Sequence, residues 1–227
     1  MKSPDELTIA LEAGACVTAL IYGAESRVGA SLILAHGAGA GQRSPFMVAF
    51  AQSLAANGID IVTFNFLYIE QQRRVPDRRP ALEACYSAVV ADVRGQVLRE
   101  RDLLFIGGKS MGGRIATHLA AADRNLPLAG LVLLGYPLHP PGRPGELRDA
   151  HLPEVRRPML IVQGSRDTFG TPAEFEPLLK RLTPAPTMHV VEGGDHSFKI
   201  ARVGKSGQDS VYRDVQRTIA DWIARFK

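Results

Sequence analysis

Short apolar runs recur along this chain, and most are separated by longer stretches of mixed polarity. LTIAL (Leu7–Leu11) and CVTALIY (Cys16–Tyr22) are joined by only EAGA, which predicts an antiparallel hairpin at the N-terminus. SLILAHG follows as a strand that ends in a glycine-rich loop. IDIVTFNF, LLFIGG, Leu128–Leu134, Pro158–Val162 and Thr187–Val191 supply the remaining apolar strands. Pro45–Asn57, Pro80–Leu98, Met111–Ala122, Pro172–Leu182 and Ser210–Phe226 predict helices between and after them. Strands that are apolar along their whole length must be covered on both faces. The pattern therefore predicts an α/β fold: a mostly parallel, twisted sheet with an N-terminal antiparallel hairpin and helices on both faces.

With 227 residues and no repeat, low-complexity tract or linker, the chain suits one domain spanning 1–227. One long irregular stretch, GYPLHPPGRPGELRDAHLPEVRRP, separates the strands near Leu134 and Met159. It is too short for a second domain and predicts a surface loop with a helical turn. Such a loop is either a lid or a rigid proline-rich connector.

The segment FIGGKSMGGR (105–114) narrows the chemistry. Its GKS resembles the end of a phosphate-binding Walker A loop, which needs G-x-x-x-x-G-K-[ST]. The first glycine of that motif belongs at position 103, where the chain has Leu103 inside LLFI. Nucleotide binding through this loop is thereby excluded. GKSMG also satisfies G-x-S-x-G, a tight strand-to-helix turn that exposes a nucleophilic serine. Bulky residues two positions either side of that serine would collide, and Gly108 and Gly112 occupy those positions around Ser110.

A serine hydroxyl needs a base, and the base needs an orienting carboxylate. In a parallel sheet both belong in loops just after strands, in the chain order serine, acid, histidine. His139 and His151 precede the best acid, and His118 lies within the helix that follows Ser110, pointing away from the turn. His189 falls inside a predicted strand as a packing residue, and His36 ends the third strand, too early for a base. His196, in VVEGGDHSF, stands in a glycine-marked loop directly after the last strand. Asp167, in IVQGSRDTFG, follows the preceding strand, and its alternative role is to cap the helix near Pro172. Asp195 adjoins His196, and side chains of successive residues diverge, which makes it a weak orienter. For the oxyanion, Met111 offers its N–H at a helix N-terminus. The loop HGAGAG offers Ala38, with Gly37 as second candidate. Lys109 and Arg114 are either solvated or placed to meet an anionic substrate; Arg114 could also pair with an acid.

The net charge of +4 is scattered except in RRVPDRR (Arg73–Arg79), which is either a solvated loop or a basic rim for anionic partners. No clustered basic and aromatic face suggests nucleic acid. Two cysteines, Cys16 and Cys85, are too few for a disulfide framework or zinc site and suit a reducing compartment. Asp5, Glu6 and Glu12 interrupt any signal-peptide core, and no apolar run approaches a membrane span. The expectation is a cytoplasmic protein without membrane partners; its oligomeric state is not legible.

HGAGAG, FNFLYIEQQRR, GGKSMGGR, GYPLHPPGRP and GGDHSF together resemble the α/β-hydrolase superfamily, over nearly the whole chain. The finer resemblance is to the dienelactone-hydrolase-like branch of small, cap-less predicted hydrolases. That group is similar to the hydrolase-like domain of a subunit of an animal histone-acetyltransferase complex. The resemblance implies an α/β-hydrolase fold without a large cap and esterase-type chemistry on a small acyl substrate. Ser110, Asp167 and His196 would form the catalytic triad, with no cofactor and no metal. Two departures stand out: dienelactone hydrolase uses a cysteine where this chain has Ser110, and Leu67 replaces the usual proline after FNF. Members of the superfamily also serve as non-catalytic scaffolds, which is the alternative expectation.

Overall fold

The computed structural model describes residues 3–226. Its strands are β1 (Asp5–Ala10), β2 (Cys16–Tyr22), β3 (Ala30–Ala35), β4 (Asp60–Phe64), β5 (Leu103–Lys109), β6 (Gly130–Leu134), β7 (Met159–Gly164) and β8 (Thr187–Val191). The helices are α1 (Pro45–Ala56), α2 (Leu67–Glu70), α3 (Arg79–Gln96), α4 (Met111–Ala122), α5 (Pro172–Leu179) and α6 (Lys205–Ala224). The strands form one sheet in the order β1-β2-β4-β3-β5-β6-β7-β8. β1 pairs antiparallel with β2, and β2 antiparallel with β4. From β4 to β8 every neighbouring pair is parallel. The expected sheet, hairpin and two-faced cover are all present.

The apolar strands divide their side chains between two cores, because successive residues point to opposite faces. Ile33 and Ile106 pack with Val89 of α3, Ile115 of α4 and Phe175 of α5. Leu32, Leu34 and Phe105 pack on the other face with Phe50 of α1 and Ile219 and Trp222 of α6. Each fully buried leucine, isoleucine or phenylalanine contributes about 1.5–3 kcal/mol, which is why the strands tolerate so few polar residues.

The chain runs from β3 outward to β4, then crosses back to β5 on the other side of β3. The carboxyl ends of β3 and β5 therefore adjoin at a topological switch point, where such sheets open a crevice for ligands. The loop after β3 carries Gly37 and Ala38, and the turn after β5 carries Ser110.

Several local expectations are corrected. Leu67–Glu70, where no element was expected, form a helical turn, held where the Glu70 carboxylate accepts the Thr18 N–H at 3.0 Å. α6 begins at Lys205 rather than Ser210. Its first turn lacks an apolar pattern but is tied down through Gln208, which donates to the Phe198 carbonyl and accepts the Ile200 N–H. α5 ends at Leu179, three residues early. The long stretch 135–158 contains a 3-10 turn at Leu152–Glu154, but residues 135–140 are buried rather than at the surface. No helix among the described residues is long and apolar enough to cross a membrane.

Candidate active site

Ser110 sits between β5 and α4 with φ 50° and ψ −113°, in the left-handed half of backbone space that a side chain normally avoids. Strain of this kind persists only where the surroundings over-determine it. A Cβ on Gly108 or on Gly112 would lie 2.5 Å from the carbonyl oxygen of Ala35, so β3 passes too close for any other residue. The Ser110 N–H is fixed by the Leu134 carbonyl at 2.9 Å. The hydroxyl stands half-buried at the floor of a cleft of about 920 Å³.

His196 Nε2 lies 2.8 Å from Ser110 Oγ, and His196 Nδ1 lies 2.8 Å from Asp167 Oδ2. A carboxylate only accepts hydrogen bonds, so Nδ1 carries the imidazole proton and Nε2 accepts the serine O–H. The structure thus brings together Ser110, Asp167 and His196 from the ends of β5, β7 and β8. Asp195 turns away and caps its own loop, accepting the N–H groups of Ser197 and Lys199 at 2.8 and 2.9 Å.

Four residues that support this chain of contacts were not legible as such. Gln163, buried in β7, donates to Asp167 Oδ2 and to the Gly170 carbonyl, both at 2.8 Å, and accepts the Tyr136 N–H at 2.9 Å. A lone amide within MLIVQG was the available signal. Phe169 donates its N–H to Asp167 Oδ1 at 2.8 Å and stacks its ring on His196, centroids 4.2 Å apart. Lys109, expected to be solvated or in contact with substrate, is instead 8% exposed and donates to the His196 carbonyl at 2.6 Å. Its ammonium is pushed down to about 8 by burial, against the pull of Asp167 and Asp195. His36 is fully buried and kept neutral, its pKa lowered to about 4 by burial. It accepts the Phe66 N–H at Nε2 and donates from Nδ1 to the Gly37 carbonyl, which anchors the loop after β3.

That loop and α4 supply backbone donors. Gly37, Ala38, Met111 and Ser110 all line the cleft. As the first residue of α4, Met111 has no intrahelical acceptor for its N–H, and the helix dipole adds positive potential there. The Ala38 peptide is held by the Tyr68 hydroxyl, which donates to its carbonyl at 3.0 Å.

The other histidines lie elsewhere. His118 and His151 stack on each other with centroids 3.5 Å apart, His139 faces Glu174 at 3.2 Å, and His189 on β8 faces Asp214 at 3.5 Å. Thr171, not Asp167, caps α5, in a capping box with Glu174. In the basic run, Arg73 pairs with Asp77 at 2.6 Å and Arg79 with Glu83 at 3.3 Å. Arg114 has no ion-pair partner among the described residues, contrary to one expectation for it. No group of His, Cys, Asp or Glu among the described residues is arranged to hold a metal ion.

A mostly parallel sheet with a strained serine turn at its switch point defines an α/β hydrolase. Residues 28–224 match the alpha/beta hydrolase domain family, and the chain belongs to it. Among solved structures it is similar to XC6422 from Xanthomonas campestris, an α/β serine hydrolase without a lid. The two are 23% identical over 96% of each chain, with a TM-score of 0.72. Dienelactone hydrolase from Anabaena variabilis is 17% identical over 99% of each chain, with a TM-score of 0.74. Est1E from Butyrivibrio proteoclasticus is 17% identical over 96% of this chain and 99% of its own, with a TM-score of 0.72. At these identities the likeness is one of fold.

Proposed function

We propose that the protein is a serine hydrolase of esterase or thioesterase type, acting on a small acyl substrate in the cytoplasm. The observation that carries this reading is the continuous contact Asp167–His196–Ser110, two steps of 2.8 Å each, opening on a cleft. Ser110 Oγ attacks the acyl carbonyl carbon while His196 Nε2 takes the hydroxyl proton. Asp167 holds the imidazole in the required tautomer and stabilises the imidazolium. The N–H groups of Met111 and Ala38 stabilise the oxyanion of the tetrahedral intermediate. Collapse releases the alcohol or thiol, which takes the proton from His196 and leaves an acyl-serine. Water, activated by the same histidine, then frees the acid.

The experiment is labelling with a fluorophosphonate, followed by peptide mapping, on wild type, Ser110→Ala and His196→Ala. Wild type should label at Ser110 and both variants should not. A folded wild-type protein that stays unlabelled would favour the scaffold reading and redirect the search to partners.

A further inference from the structure

One wall of the cleft carries more positive charge than the proposed chemistry uses. Arg114 lies one helical turn beyond Ser110, its N–H bonded to the Ser110 carbonyl at 3.1 Å, so both residues share a face of α4. Arg148 reaches the same cleft from the 135–158 segment. Its backbone is pinned on both sides of the Cα. The Arg148 N–H donates to the Leu138 carbonyl, and the Arg148 carbonyl accepts the buried Tyr136 hydroxyl, each at 2.8 Å. Both arginines are half-buried, and neither has a carboxylate within ion-pairing distance among the described residues.

The acids nearby are engaged by other cations. Asp77 takes Arg73, Glu83 takes Arg79, Glu146 takes Arg143, and Asp149 takes Arg181. Asp77 and Asp209 are the acids that line the cleft among the described residues. Arg114 Nε is buried without a hydrogen-bond partner, which is rare for a charged group and costly unless something else satisfies it. The two guanidinium groups are close enough that Arg114, after burial, lowers the pKa of Arg148. His118 and His151 do not add charge, because burial lowers them to about 4 and about 3.

We propose that Arg114 and Arg148 form a subsite for an anionic group of the substrate, a carboxylate or a phosphate, beside the Ser110 hydroxyl. This assignment rests on the hydrolase reading above. Guanidinium forks bind such oxyanions through paired, charge-assisted hydrogen bonds, and a half-buried setting strengthens them. The enzyme would therefore select esters that carry a negative charge over neutral esters of the same size.

The test uses matched esters on the full chain. 4-Nitrophenyl hydrogen glutarate is compared with 4-nitrophenyl valerate for a carboxylate, and 4-acetoxyphenyl phosphate with 4-methoxyphenyl acetate for a phosphate. Wild type should favour one anionic ester in kcat/KM by roughly 10- to 100-fold, the worth of a charged hydrogen-bond pair. That ratio should collapse towards one in Arg148→Gln and survive in part in Arg148→Lys. Arg114→Gln provides a second variant. Turnover of neutral esters with no anionic preference, or a preference that persists in Arg148→Gln, would overturn the subsite and leave the hydrolase reading intact. Loss of fluorophosphonate labelling at Ser110 would instead defeat the hydrolase reading. Glutarate and inorganic phosphate would then be titrated calorimetrically into wild type and Arg148→Gln. Binding of either that weakens in the variant upholds the anion site, and no binding of either overturns it.

Discussion

Replacing Lys109 with methionine exposes how the His196 loop is held. The side chain is 8% exposed, and burial lowers its pKa from 10.5 to about 8. At about 1.36 kcal/mol per pKa unit, keeping this ammonium charged at pH 7 costs the folded state roughly 3 kcal/mol. Between pH 8 and 10.5 the unfolded chain keeps the proton that the folded chain has lost. The unfolded state then binds more protons, so stability rises with pH across that window and is level below it, where both states hold the proton. Methionine removes this dependence but leaves the His196 carbonyl without its donor, a loss of about 1–3 kcal/mol. The two effects nearly cancel at pH 7. The stability of wild type relative to Lys109→Met should therefore climb by roughly 2–3 kcal/mol from pH 7 to pH 10. Buried tyrosines such as Tyr86 and Tyr136, raised by burial, titrate alike in both proteins and drop out of the difference. Urea unfolding at four pH values, followed by the fluorescence of buried Trp222, measures it. A difference that stays flat across the range refutes the argument.

Three further outcomes are expected. Gln163→Leu leaves the Tyr136 N–H and the Gly170 carbonyl unpaired in the core, and should lower stability by about 3–5 kcal/mol in urea titration. Asp167→Asn should reduce kcat on the order of 10⁴-fold, as the wrong imidazole tautomer does in other triads, with little change in the circular dichroism spectrum. Gly112→Ala places a Cβ 2.5 Å from the Ala35 carbonyl oxygen and 2.7 Å from that of His36, both backbone atoms. It should cost more than about 3 kcal/mol by denaturant titration and abolish fluorophosphonate labelling; a stable, fully labelled variant would show that β3 can retreat.

The centre of the sheet was legible because burial on both faces leaves a continuous apolar run, the signal carried by the five strands β3 to β7. α2 and the first turn of α6 were not, since each is stabilised by one distant side chain, Glu70 on Thr18 and Gln208 on Phe198 and Ile200. The burial of residues 135–140 was hidden for a similar reason. Tyr136 and Leu138 look ordinary in a proline-rich stretch until β7 and α5 close around them.

For the site, the glycines at 108 and 112 and the chain order of Ser110, Asp167 and His196 are local properties, set by turn sterics and by which residues follow strands. They determined which side chains could meet. Only the tertiary structure decided that they lie 2.8 Å apart, that Lys109 turns inward to the His196 carbonyl, and that Gln163 holds Asp167 from behind. It also decided that Arg114 and Arg148 share one wall without a carboxylate between them. Hydrogen bonds and charges act across a few ångströms of space, and residues 34 or 86 positions apart carry no trace in the chain of having been brought that close.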